Sequence, residues 1–191
     1  MRSMSRASSV LFTLLAACGG GAAETTTTTT TTTETVETSS TGGGALAIGG
    51  SVSNYGETHL STGFLPDPHQ VSLVSGASAS SAVDISTAGL TAQNAGVCTG
   101  YATSAPDYIV HLDSPGALLR FFVQAPGDTT LAINDGAGNW WCSDDDGGNL
   151  NPMIDIANPP AGQYDVWVGS YEAGANISAT LSVSELTTVT P

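Results

Sequence analysis

The chain has 191 residues, 17 of them acidic and three basic, for a formal net charge of −14. Two of the bases, Arg2 and Arg6, sit at the extreme N-terminus, so Arg120 is the only other positive side chain, and lysine is absent. A chain of this kind has no basic surface to lay on phosphate, which excludes nucleic-acid binding. Anionic lipid headgroups repel it, whereas its acidic surface suits cations, high ionic strength or simple solubility.

The first six residues carry two arginines and no acid, and residues 7–17 form a largely apolar run. That run is long enough for the core of an export signal and too short to span a bilayer as a helix. It closes on Leu15-Ala16-Ala17-Cys18, which resembles the lipobox of bacterial lipoproteins. The resemblance implies a signal peptide over 1–17, cleavage before Cys18, and a diacylglycerol on its sulfur. A further acyl chain on the new N-terminus would give the two-chain anchoring that stable membrane residence needs. The partner implied is the lipid membrane, reached through acylated Cys18 in a bacterial cell envelope. Gly19, not Asp, follows the lipid site, which favours the outer membrane or cell surface. The alternative is an ordinary secretory signal with Cys18 incidental. With Cys18 lipidated, Cys98 and Cys142 remain as an even pair in an exported domain and read as a disulfide. Such a bond closes a loop of about 45 residues, worth roughly 4 kcal/mol in the chain-entropy model. Two free thiols or a metal pair are the other readings, with no further soft ligand spaced for zinc.

Residues 18–50 read as a tether. Nine threonines run from Thr25 to Thr33, flanked by Glu24 and Glu34, and Gly42-Gly43-Gly44 follows. This stretch has almost nothing to bury, so it is expected to be disordered.

From 51 to 187 the texture changes to short apolar runs broken by Gly, Pro, Asn and Asp. Strands are expected at 70–74, 82–85, 108–112, 118–124, 130–134, 140–143, 153–156, 164–169 and 178–184. Tyr164, Val166 and Val168 alternate with Asp165 and Trp167; Ala179, Leu181 and Val183 alternate with Thr180, Ser182 and Ser184. Period-two patterning with frequent turns and no helical periodicity predicts an all-β fold, a single antiparallel sandwich of jelly-roll type. The length suits one core.

Ala161-Gly162-Gln163-Tyr164-Asp165-Val166-Trp167-Val168 resembles the small-Gly-x-Tyr-x-Val-x-Val strand of pre-peptidase C-terminal (PPC) domains. Asp128-Thr129-Thr130-Leu131-Ala132-Ile133-Asn134 is similar to the strand before that family's acidic turn. Cys142-Ser143-Asp144-Asp145-Asp146-Gly147-Gly148-Asn149-Leu150-Asn151-Pro152 resembles the turn itself, and Ala179 to Glu185 the closing strand. The likeness covers 108–186. It implies a β-sandwich appended to exported proteins, some members of which bind calcium at comparable loops. No protease accompanies the domain here, so the role of an appendage does not transfer whole.

The leading site expected is for Ca²⁺, at Asp144, Asp145 and Asp146 with Asn149 and Asn151, and with Asp128 or Asp135 adding a ligand from a strand end. Ca²⁺ takes six to eight hard oxygens, and adjacent carboxylates repel one another until a cation relieves them. The competing reading is a solvated acidic turn, since Asp-Gly is ordinary turn chemistry; the spacing is not that of an EF-hand. A second expected ligand surface is aromatic: Trp140, Trp141, Trp167 and Tyr171 could stack on sugar rings, although one of two adjacent tryptophans must point inward. Catalysis is not expected. His59, His69 and His111 form no metal or triad motif, and Gly-x-Ser-x-Gly is missing. His69, in Pro66-Asp67-Pro68-His69, is expected at the surface. The function these readings support is a non-catalytic, anchored binding or accessory module, with an exported protein or a polysaccharide as partner; the alternative is a carbohydrate-binding module on the same anchor.

Overall fold

A computed structural model describes residues 44–191. The expected signal peptide, Cys18 and most of the tether lie outside the described residues.

The fold is an all-β sandwich of two packed sheets. The first sheet holds seven strands: β1 (Glu57–Leu60), β3 (Val83–Asp84), β4 (Tyr101–Ala102), β5 (Tyr108–Leu112), β7 (Thr129–Asn134), β8 (Trp140–Ser143) and β10 (Gly162–Ser170). The second holds β2 (His69–Val74), β6 (Leu118–Gln124), β9 (Met153–Ala157) and β11 (Ser178–Ser184), in the order β2-β11-β6-β9. β10 is the spine of the first sheet. It pairs with β7 along residues 165–170, and on its other edge with β5 and then, at Ser170, with β4.

Alternation builds the main core between the sheets. Tyr164, Val166 and Val168 of β10 face Phe121 and Val123 of β6 and Leu181 and Val183 of β11 across a shared apolar interior. The expected strands are all present, with boundaries shifted by at most two residues. Three features differ from expectation. β1 and β4 are additional strands, and β1 pairs parallel to β5; three other strands separate them in sequence, which allows the parallel sense. The run at 82–85 ends early, because the Asp84 side chain accepts from the Ser86 amide at 3.0 Å and starts a 3₁₀ turn over Ile85–Thr87.

Parts of the outer faces are covered too. Residues 44–50, expected in the tether, lie on the first sheet. The Ala47 amide donates to the Ser104 carbonyl at 2.8 Å, the Gly49 amide to Asp165 Oδ2 at 2.6 Å, and Gln163 Nε2 to the Gly50 carbonyl at 2.6 Å. Leu46, with Leu90 and Ala92, packs a second, smaller core of Ile85, Ala102, Ala132, Cys142 and Trp167. Cys98 and Cys142 form the disulfide that pins this layer, with Cα atoms 5.0 Å apart. On the second sheet Ser182 and Ser184, which alternate away from the main core, are fully buried. Arg120, on the same face, holds Asp155 through two bonds of 2.7 Å and donates to the carbonyls of Thr187 and Val189 at 2.8 and 2.9 Å. The C-terminal residues therefore return across that sheet. No helix among the described residues is long and apolar enough to cross a membrane.

Candidate functional site

The loop from Asp144 to Pro152 joins β8 to β9 and closes on itself. The Gly148 amide donates to the Asp145 carbonyl at 2.9 Å, the Gly147 amide to the Asn151 carbonyl at 2.9 Å, and the Asn151 amide to the Gly148 carbonyl at 3.1 Å. Gly148, Asn149 and Leu150 all have positive φ, of 82°, 55° and 61°. For a leucine this is a sparsely populated conformation, held only where the surroundings dictate it. The dictating contacts come from the β7 side: the Thr129 amide donates to the Leu150 carbonyl at 3.1 Å, and Thr129 Oγ1 to Asn151 Oδ1 at 3.2 Å. Asn151 Nδ2 reaches the carbonyls of Ala125 and Asn149. The amide of Asn151 is thus spent on shaping the loop.

That clamp carries the loop to Asp128, the residue before β7. Oxygens of Asp128, Asp144 and Asp145 lie within 4.8 Å of one another. Two oxygens on one Ca²⁺ stand at most about 5 Å apart, given Ca–O distances near 2.3–2.6 Å, so the spacing fits that ion. Asp128 Oδ1 and Asp144 Oδ1 are buried and have no hydrogen-bond partner. Such oxygens are costly to desolvate unless something donates or coordinates to them. Burial pushes the Asp128 carboxyl above its ordinary range, and the charges of Asp145 and Glu172 push it further. Asp144 is raised by burial and then by Asp145, Asp128 and Asp146. Among the described residues Arg120 is the only Lys or Arg, and Asp155 occupies it. The fold thus brings carboxylates together with no arginine or lysine among the described residues free to balance them.

The remaining expected ligands divide. Asp146 and Asn149 are on the same loop, exposed. Asp135 is a correction: it follows β7, Asp128 precedes it, and a strand of six residues spans roughly 20 Å at about 3.3 Å per residue. Its carboxylate instead accepts from the amides of Ala137 and Asn139, Asn139 Nδ2 and Trp141 Nε1 at 2.8–3.1 Å, tying the β7–β8 turn. Burial opposes its charge, yet these bonds hold it below the ordinary value. Glu172 was not expected near the loop. It follows β10, and only the β7–β10 pairing brings that strand end beside Asp128, where the Tyr171 amide donates to the Asp128 carbonyl at 3.2 Å.

The aromatic surface is corrected as well. Trp167 is 0 % exposed in the second core, its Nε1 donating to the Ser104 carbonyl at 3.3 Å. It lies on the outward face of β10, as alternation requires, but that face is covered. Trp140 is half-buried, with its ring centroid 5.4 Å from that of Trp167, and Trp141 is half-buried against the main core. Tyr171 alone of the four is well exposed. His69 also departs from expectation: it begins β2 with Nε2 3.0 Å from Tyr108 Oη, and burial lowers its pKa.

No family model matches the chain, and no curated protein matches its sequence.

Proposed function

We propose that this protein is a lipid-anchored exported module whose β-sandwich is non-catalytic and binds Ca²⁺ at the Asp128–Asp144–Asp145 loop, where the ion orders a binding or accessory surface. The observation that carries the calcium reading is the pair of buried, unpartnered oxygens on Asp128 and Asp144 within an uncompensated carboxylate group. Asp145, Asp146 and water complete a hard-oxygen shell. The anchor rests on the Leu15-Ala16-Ala17-Cys18 sequence, and the accessory role on the resemblance to PPC domains. An exported protein or a polysaccharide is the partner this reading implies. For the carbohydrate-binding alternative, Tyr171 and the half-buried Trp140 and Trp141 remain as stacking surfaces once Trp167 is removed, and no further observation favours it.

Calorimetric titration of the full chain with CaCl₂ tests the ion. Binding in the wild type that disappears in Asp128→Asn and Asp144→Asn supports the site; equal binding in all three rejects it. The anchor is tested separately. Cys18→Ser should move the protein out of the detergent-extracted membrane fraction, and retention there contradicts lipidation.

A further inference from the structure

Leu46 and Ile48 belong to the segment that lies on the first sheet before β1, Val83 to β3, Leu90 to the loop after it and Trp140 to β8. Together with three alanines they line a cleft of about 430 Å³. That size suits a small organic molecule, and sites for such molecules are mostly apolar with a few placed polar groups. Ile48 is 54 % exposed, so apolar surface is left for a ligand to cover.

Asp84 is the only charged residue of the lining. Its Oδ1 is occupied, accepting from the amide and the hydroxyl of Ser86. Its Oδ2 receives no hydrogen bond from any described residue. Thr87, the one hydroxyl of the lining, donates to the Asp84 carbonyl at 2.9 Å and is spent there. Trp140 brings an aromatic ring to the same cleft, half-buried and braced by Trp167 with ring centroids 5.4 Å apart.

These groups select one kind of ligand. A carboxylate oxygen only accepts, so it takes an N–H or O–H, and the bond is strongest when the donor is charged. The indole face attracts the same cation, while the aliphatic walls favour a hydrocarbon body. An anion is repelled by Asp84 and by the net charge of −14. A sugar carries a hydroxyl on almost every carbon and would leave most of them unpaired against these walls. We propose that the cleft binds a primary ammonium ion carried on a small apolar body, with the nitrogen on Asp84 Oδ2 and the hydrocarbon against Leu46, Val83, Leu90 and Trp140. Asp84 and Trp140 take no part in the Asp128–Asp144–Asp145 group, so the site does not rest on calcium binding.

The probe is phenethylammonium chloride, titrated into the full chain with Ca²⁺ present and followed by NMR. It should shift the Trp140 indole resonance and the methyl resonances of Leu46, Val83 and Leu90 to saturation. Phenethyl alcohol, its neutral counterpart, should bind about tenfold more weakly or less, and the anion hydrocinnamate should not bind. Asp84→Asn keeps an oxygen for the Ser86 amide, so the 3₁₀ turn is retained, and it should lower the affinity for the ammonium to that for the alcohol. Asp144→Asn should leave the ammonium affinity unchanged, whatever happens to Ca²⁺. Equal binding of ammonium and alcohol by the wild type, or wild-type affinity for the ammonium in Asp84→Asn, overturns the proposal. Loss of binding in Asp144→Asn would place the cation at the acidic loop and overturns it too. On the unaltered chain, the absence of shifts at Trp140 rejects the site.

Discussion

Asp107 is an ionisable group placed where the fold offers almost no water. It is 1 % exposed; the Val168 amide donates to its Oδ2 at 2.8 Å and Asn54 Nδ2 to its Oδ1 at 2.9 Å. Burial outweighs these bonds and pushes the carboxyl from 3.8 up to about 6. Between those values the folded chain keeps a proton that the unfolded chain has released. Stability from this group is therefore complete below about pH 4 and falls as pH rises through about 6. The loss approaches about 3 kcal/mol at 1.36 kcal/mol per unit of pKa difference. In Asp107→Asn the amide oxygen still accepts from Val168, and the decline between pH 4 and 6 should flatten. Urea unfolding at several pH values reads this directly; an unchanged slope would show that the proton resides elsewhere. Trp167 is the matching case for packing. Its indole is fully buried beneath Leu46 and Leu90, so Trp167→Ala should cost about 3–5 kcal/mol. A loss under about 1 kcal/mol in the same assay would mean that the outer layer is not a core.

At the scale of elements, the layer pinned by the disulfide depends on close backbone approach. Asn94 bonds both polar backbone atoms of Cys142, through Nδ2 to the carbonyl at 2.8 Å and Oδ1 from the amide at 3.3 Å. A Cβ on Gly96 would stand 1.9 Å from that same carbonyl oxygen. Gly96→Ala should accordingly destabilise by about 1–3 kcal/mol through forced displacement of the segment, visible as a lower Tm; an unchanged Tm would contradict the packing.

The same elements show what a sequence can carry. β5, β6, β8 and β11 were readable to the residue, the first three as largely apolar runs between turn residues and β11 by its strict alternation of Ala179, Leu181 and Val183 with Ser and Thr. β1 was not, since Glu57-Thr58-His59-Leu60 contains one buried apolar residue and owes its strand form to pairing with β5. Asp144 and Asp145 were readable as adjacent acids between two strands. Asp128 needed the direction of β7, and the same direction is what excludes Asp135. Alternation assigned Trp167 to the outer face of β10 correctly, but no local pattern states that residues 44–50 and 85–98 will cover that face. The cleft at Asp84 was invisible for a related reason: Leu46, Asp84 and Trp140 are far apart in the chain, and only the covering of the first sheet brings them to one cavity.

For the molecule as a whole, charge is the organising quantity. Beyond residue 6 a single arginine faces all 17 acids, and Arg120 is committed to Asp155 and the C-terminal carbonyls. Among the described residues no arginine or lysine is therefore free to balance the acidic loop, and the carboxyls of Asp128 and Asp144, raised by burial and by neighbouring charges, contribute stability at low pH that is lost as they ionise. Ca²⁺ should reverse that trend, because it binds the ionised form and stabilises by mass action, by about 2.7 kcal/mol at a hundredfold excess over Kd. Asp144→Asn should raise the Tm of the metal-free protein by relieving repulsion, and abolish the response to Ca²⁺. The most direct measurement is the thermal unfolding of the full chain at pH 7 in chelator and in millimolar CaCl₂. Tm should rise by several degrees with Ca²⁺ in the wild type and stay unchanged in Asp144→Asn. The same Tm in chelator and in CaCl₂ would contradict calcium binding at the loop.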